Sequence, residues 1–130
     1  MVPSAAADSE ASGPPVVLLV EDDVVIRAAT AAHLRGLGYE TLEAVDFDQA
    51  VALLKARSDI GVVFSDIKLP GDKSGFDLLA VVERDFPAVR MLFTSGVIKA
   101  EEASHRGITF LRKPYFLFEV ERQIRALLEA

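Results

Sequence analysis

Gly61-Val62-Val63-Phe64-Ser65-Asp66-Ile67-Lys68-Leu69-Pro70 is the stretch whose reading decides the fold. A short apolar run of this kind reads as a strand buried on both faces. Asp66 stops the run, and Pro70 and Gly71 force a turn shortly after it. A carboxylate at the carboxyl end of a central strand lies where open α/β sheets keep their ligands.

Working outward, the same pattern recurs along the chain. Val16-Val17-Leu18-Leu19-Val20 is a second continuous apolar run, started by Pro14-Pro15 and ended by Glu21-Asp22-Asp23. A helix is predicted over 24–36, with Ile26, Thr30, Leu34 and Leu37 at helical spacing, capped by Asp23. Tyr39 to Ala44 reads as a poorer, partly polar edge strand. Asp46 caps a predicted helix from Phe47 to Arg57. After the Asp66 strand, Phe76, Leu79 and Val82 mark one face of a helix over 75–85. Val89 to Phe93 is a further strand, ending at Thr94-Ser95-Gly96. The segment from Val97 to Gly107 holds no more than about two helical turns. Ile108 to Leu111 is the last strand, Lys113-Pro114 ends it, and a helix over 116–129 turns Leu117, Val120, Ile124 and Leu127 inward.

Strands that alternate with helices imply an α/β fold. Here that is a doubly wound, five-stranded parallel sheet with helices on both faces, and the order 2-1-3-4-5 suits it. The 130 residues fit one domain over 15–130, after a tail over 1–14 expected to be disordered. That tail has no Lys or Arg, so it reads as neither a secretory signal nor a transit peptide. No apolar run approaches the roughly 20 residues of a spanning helix. The absence of cysteine excludes disulfides and thiolate chemistry, and the net charge of −6 argues against a nucleic-acid partner.

In a parallel sheet every strand ends at the same edge. Glu21, Asp22, Asp66, Thr94 and Lys113 all stand at such ends, on neighbouring strands. Three converging carboxylates resist ionisation, and a divalent cation relieves the conflict. Oxygen ligands select a hard ion, with Mg²⁺ the natural choice. A carboxylate is also a competent nucleophile toward phosphorus, for which a lysine supplies charge and a hydroxyl a donor. Each residue alone has an ordinary reading as a helix-start acid, a turn residue or a surface lysine. Their joint occurrence at adjacent strand ends sets those readings aside.

The motifs Leu18-Leu19-Val20-Glu21-Asp22-Asp23, Ser65-Asp66-Ile67-Lys68-Leu69-Pro70-Gly71, Phe93-Thr94-Ser95-Gly96 and Leu111-Arg112-Lys113-Pro114 resemble those of the receiver domain of bacterial two-component response regulators. The resemblance runs from about Val16 to Glu129. It implies that Asp66 is the phosphoacceptor, that Glu21 and Asp22 hold Mg²⁺, and that the Lys68 backbone carbonyl is a further ligand. It implies a switch role for Thr94 and Phe110, and a charge role for Lys113 before a cis Pro114. It also implies a cytoplasmic protein. Its partners would be a histidine kinase or histidine phosphotransfer protein and a downstream protein or second copy. With nothing after Ala130, a stand-alone domain is expected, acting by binding or as a phosphorelay intermediate.

Two other readings stay open. A Mg²⁺-dependent aspartyl-phosphate phosphohydrolase would place a second acid where Lys68 stands, and would need room for a cap domain. A pseudo-receiver would act as a scaffold only, against the complete set of acids, hydroxyl and lysine. The chain also departs from the family pattern. Glu21 replaces the commoner Asp, the turn after Pro70 is longer, and the fourth helix is shortened. Phe116 stands where a capping Ser, Thr or Asp is usual. Tyr115, Phe116 and Phe118 are expected to pack beneath the shortened helix; the alternative is an exposed patch for a partner or a second copy. His33 and His105 lie too far apart to act as joint ligands.

Overall fold

The structure is a computed structural model that describes residues 13–98 and 100–130. The expected disordered tail falls almost wholly outside the described residues. In chain order the elements are β1 (Val16–Val20), α1 (Val24–Gly36), β2 (Glu40–Ala44), α2 (Phe47–Ala56), β3 (Ile60–Asp66), α3 (Gly75–Asp85), β4 (Arg90–Ser95), α4 (Ala100–Arg106), β5 (Phe110–Arg112) and α5 (Leu117–Glu129). The strands form one parallel sheet in the order β2-β1-β3-β4-β5, with β2 at an edge as its polar pattern predicts.

Alternate residues of each strand feed opposite faces. Leu18, Val20 and Val63 pack on one face against Ala50 and Leu54 of α2 and Leu78 and Val82 of α3. Val17, Leu19, Val62, Phe64 and Leu92 pack on the other against Ala31 and Leu34 of α1 and Val120 and Ile124 of α5. Burial on both sides explains why β1 and β3 read as unbroken apolar runs. Each large side chain so buried stabilises the fold by ~1.5–3 kcal/mol.

Side chains at the helix starts satisfy orphan N–H groups. Asp23 accepts from Ile26 N and Asp46 from Gln49 N, both at 2.9 Å. Ser74 and Asp77 form a reciprocal capping box on α3. Phe116 supplies no side-chain cap, and α5 has only the Glu119 carboxylate accepting from Phe116 N at 3.0 Å.

Four details differ from the sequence expectation. Leu37 is exposed rather than inward, because α1 ends at Gly36 and Gly38 (φ +96°) swings the chain toward β2. On α3 the buried pair is Leu78 and Val82, while Phe76 and Leu79 flank it half-buried. The last strand begins at Phe110, because Gly107 (φ +71°) closes α4 and Ile108 N–H turns back to Ala103 O.

The fourth concerns the aromatic residues, which do not pack beneath α4. The Arg106 guanidinium lies 4.2 Å over the Phe76 ring, itself against Phe93, and this stack ties α4 to α3. Tyr115 sits on the opposite face of the sheet, edge-on to Phe64. Phe116 and Phe118 are 68% and 58% exposed, stacked on each other at 5.7 Å.

Candidate functional site

The carboxyl edge of the sheet gathers Glu21, Asp22, Asp66 and Lys113. Glu21 is fixed at every polar group. Its N–H donates to Ala44 O at 3.0 Å, and its carbonyl accepts from Arg27 at 2.9 Å, with Arg27 held by Glu43 at 3.1 Å. Its carboxylate accepts from Asp23 N–H at 3.0 Å and from Lys113 Nζ at 2.9 Å. Asp66 ends β3 and is 6% exposed. Lys113 Nζ reaches both of its carboxylate oxygens, at 2.9 and 3.0 Å. Lys113 N–H donates to Ser95 O at 3.0 Å, and the Lys113–Pro114 bond is cis, as the resemblance implies.

A cleft of about 410 Å³ opens over these groups, lined by Asp22, Asp66, Lys68, Ser95, Val97 and Lys113 among others. Ser95 Oγ accepts from the N–H groups of Val97 and Ile98 at 3.1 and 3.2 Å, which shapes the loop at its rim. The floor depends on Gly75. A Cβ there would stand 2.5 Å from Asp66 O and 2.9 Å from Ile67 Cα, so α3 can start this close only with glycine.

Burial shifts the acids of the site. It pushes the Asp66 carboxyl up to about 7, with the hydrogen-bonded Glu21 carboxylate adding to the shift and Lys113 opposing it. Burial also raises Glu21, but hydrogen bonds to Asp66, Asp23 N–H and Lys113 outweigh it and leave that group below the usual range. The two acids are thus pushed apart, Asp66 up and Glu21 down. Desolvation lowers Lys113, yet the two carboxylates more than compensate and hold it firmly cationic.

Glu21, Asp22 and Asp66 each offer an oxygen, all within 4.8 Å of one another. Three carboxylate oxygens gathered this closely are the hard, all-oxygen donor type that Mg²⁺ takes. Asp22 is exposed, so this acid cluster is reachable from solvent.

Of the residues named from sequence, Glu21, Asp22, Asp66 and Lys113 meet at one site, and Lys68 lines its cleft. Thr94 pairs with Asp66 in the β3–β4 register and is buried, and its Oγ1 has no hydrogen-bond partner among the described residues. Phe110 is half-buried beside Phe93 in the β4–β5 register. Sequence reasoning missed Gly75 and Arg27. A glycine directly after the Ser74 cap was a signal for the first, and nothing local marked the second.

The chain matches the family described as response regulator receiver domain over residues 17–124. It is 29% identical to the sensor kinase CckA of Brucella abortus over 93% of this chain and 13% of that protein. It is 34% identical to the nitrogen assimilation regulatory protein NtrX of Azorhizobium caulinodans over 76% of this chain and 23% of that protein. The chain thus spans under a quarter of the length of these relatives. Among solved structures, NtrX from Brucella abortus superposes with a TM-score of 0.80 at 31% identity, over 89% of this chain and 27% of that one. The receiver domain of the hybrid histidine kinase CckA gives 0.73 at 29% identity, over 87% and 98%. The matched span takes in every residue gathered at the sheet edge, and the chain belongs to the response regulator receiver domain family.

Proposed function

We propose that this domain takes a phosphoryl group onto Asp66 from the phosphohistidine of a histidine kinase or histidine phosphotransfer protein. The observation that carries the reading is the ammonium of Lys113 held against both oxygens of Asp66, beside the Glu21–Asp22 acid pair. An Asp66 carboxylate oxygen attacks phosphorus. The P–N bond breaks, and its electron pair leaves with the imidazole nitrogen, which takes up a proton. Mg²⁺ on Glu21, Asp22, Asp66 and the Lys68 carbonyl would neutralise the phosphoryl oxygens.

The aspartyl phosphate adds charge that needs partners. Lys113 supplies one by following the new oxygens. The unpartnered Thr94 hydroxyl supplies another by turning toward them. With Phe110 this shifts a two-state equilibrium of the surface from β4 to α5. Phe116 and Phe118, exposed at the start of α5, form the apolar part of that surface, where a downstream protein or a second copy binds.

A relay role, in which the group passes onward from Asp66, draws on the likeness to the receiver of a hybrid histidine kinase. Phosphohydrolase chemistry is disfavoured, since Lys68 stands where such enzymes need a second acid. The cytoplasm is the proposed location. The described residues contain no helix long and apolar enough to cross a membrane.

The test is incubation with a small phosphodonor and Mg²⁺. Intact-mass analysis should show one added phosphoryl group in the wild type and none in Asp66→Asn. Labelling that persists in the variant overturns the assignment.

A further inference from the structure

Tyr115 follows the cis Lys113–Pro114 bond directly. Its hydroxyl lies 3.1 Å from Thr30 Oγ1 on α1, and Thr30 is 1% exposed. Its ring is fixed edge-on to Phe64 at 5.5 Å. These contacts join two elements that both feed the site. The helix α1 starts directly after Glu21, Asp22 and Asp23, and the turn after β5 carries Lys113.

Strand pairing and helix capping add little to holding that turn. Pairing of β5 with β4 ends at Ser95 and Arg112, and Phe116 offers no side-chain cap to α5. A recess of about 370 Å³ lies beside the Lys113 stem, lined by Ile26, Lys113, Pro114 and Tyr115, so packing does not confine the stem on that side. Where Nζ stands therefore depends on its own bonds to Glu21 and Asp66 and on the anchors on either side of Lys113, the Lys113 N–H bond to Ser95 O and the side-chain Tyr115–Thr30 hydroxyl pair.

We infer that Tyr115 and Thr30 are positioning residues: their hydroxyl–hydroxyl bond sets where the Lys113 ammonium stands relative to Asp66 and the phosphoryl group. This rests on the proposal that Asp66 is the phosphoacceptor. Neither residue touches the reacting atoms. The bond is neutral and part-buried, so its loss shifts the turn without unfolding the core. Because the two hydroxyls act as one unit, removing either removes the whole effect.

The experiment compares Tyr115→Phe, Thr30→Val, the double variant and Thr30→Ser. Three quantities are read: phosphorylation rate with a small phosphodonor, Mg²⁺ affinity by calorimetry, and the Lys113 side-chain ammonium resonance without phosphodonor. The two single variants and the double variant should each phosphorylate about fivefold more slowly, the rate equivalent of one neutral hydrogen bond. Mg²⁺ affinity should stay within about twofold, since the acids are untouched. The Lys113 resonance should move in the same three variants, and Thr30→Ser should restore rate and resonance. Wild-type rates together with an unmoved resonance in both single variants overturn the inference. Additive losses in the double variant do so as well. If the wild type itself takes no label, the phosphoacceptor reading falls, and the resonance still decides whether the pair positions Lys113.

Discussion

The Lys113 ammonium bridges Asp66, touching both its oxygens at 2.9 and 3.0 Å, while also holding Glu21 at 2.9 Å. One cation thus joins the ends of β1, β3 and β5. It explains how two carboxylates that are almost wholly buried can share this edge before any ligand arrives.

Replacing Lys113 with Met should therefore leave two buried acids facing each other. Metal-free stability should fall by about 1–3 kcal/mol in urea denaturation. That is below the ~3–5 kcal/mol of a fully buried pair, because the lysine side chain is 23% exposed. Mg²⁺ binding should tighten, since no ammonium competes for the acids. Unchanged stability together with weaker Mg²⁺ binding would count against the bridge.

Stability of the metal-free protein should fall as pH rises from about 4 toward 7. Asp66 carries a native carboxyl raised from 3.8 to about 7, so the native state binds more protons than the unfolded state in that window. Glu21 acts in the opposite sense: its lowered group adds stability above the ordinary range that is lost only as the pH drops through its native value. Thermal melts in a chelator across this range should show the decline, and Asp66→Asn should flatten it. A melting temperature that rises from pH 5 to 7 would contradict the charge state described for Asp66.

Gly75→Ala should destabilise by about 1–3 kcal/mol through forced backbone movement. Helix propensity alone gives the opposite sign, favouring Ala by ~0.8–1.0 kcal/mol. The sign of the change in chemical denaturation thus reads out whether α3 presses on the Asp66 carbonyl, as the 2.5 Å approach requires.

The parallel strands and the four groups of the site were legible because both sit on strong, short patterns, while the strand order came from the fold class those strands imply rather than from any run. Buried parallel strands show as unbroken apolar runs, and an acid or lysine at the end of such a run is conspicuous. Helix faces were less legible. Leu78 and Leu79 are chemically identical neighbours, and only the angle at which α3 meets the sheet decides between them. Phe116 and Phe118 misled for a related reason: aromatic rings are ordinarily core, and only the folded arrangement leaves these two exposed and stacked on each other. The roles of Gly75, and of Thr30 with Tyr115, depend on contacts between distant elements, which no local window contains.

Phe118→Glu should change stability by no more than about 0.5 kcal/mol, because an exposed ring stacked on Phe116 and flanked by the Arg122 guanidinium contributes little to the core. Association that follows phosphorylation, measured by light scattering or by partner titration, should weaken. Lowered stability with association unchanged would return the ring to the core.

The central claim is tested most directly by intact-mass measurement after incubation with a small phosphodonor and Mg²⁺, wild type beside Asp66→Asn. The account predicts a single phosphoryl adduct on the wild type, lost when a chelator removes Mg²⁺, and none on the variant. An adduct of equal yield on Asp66→Asn would contradict it.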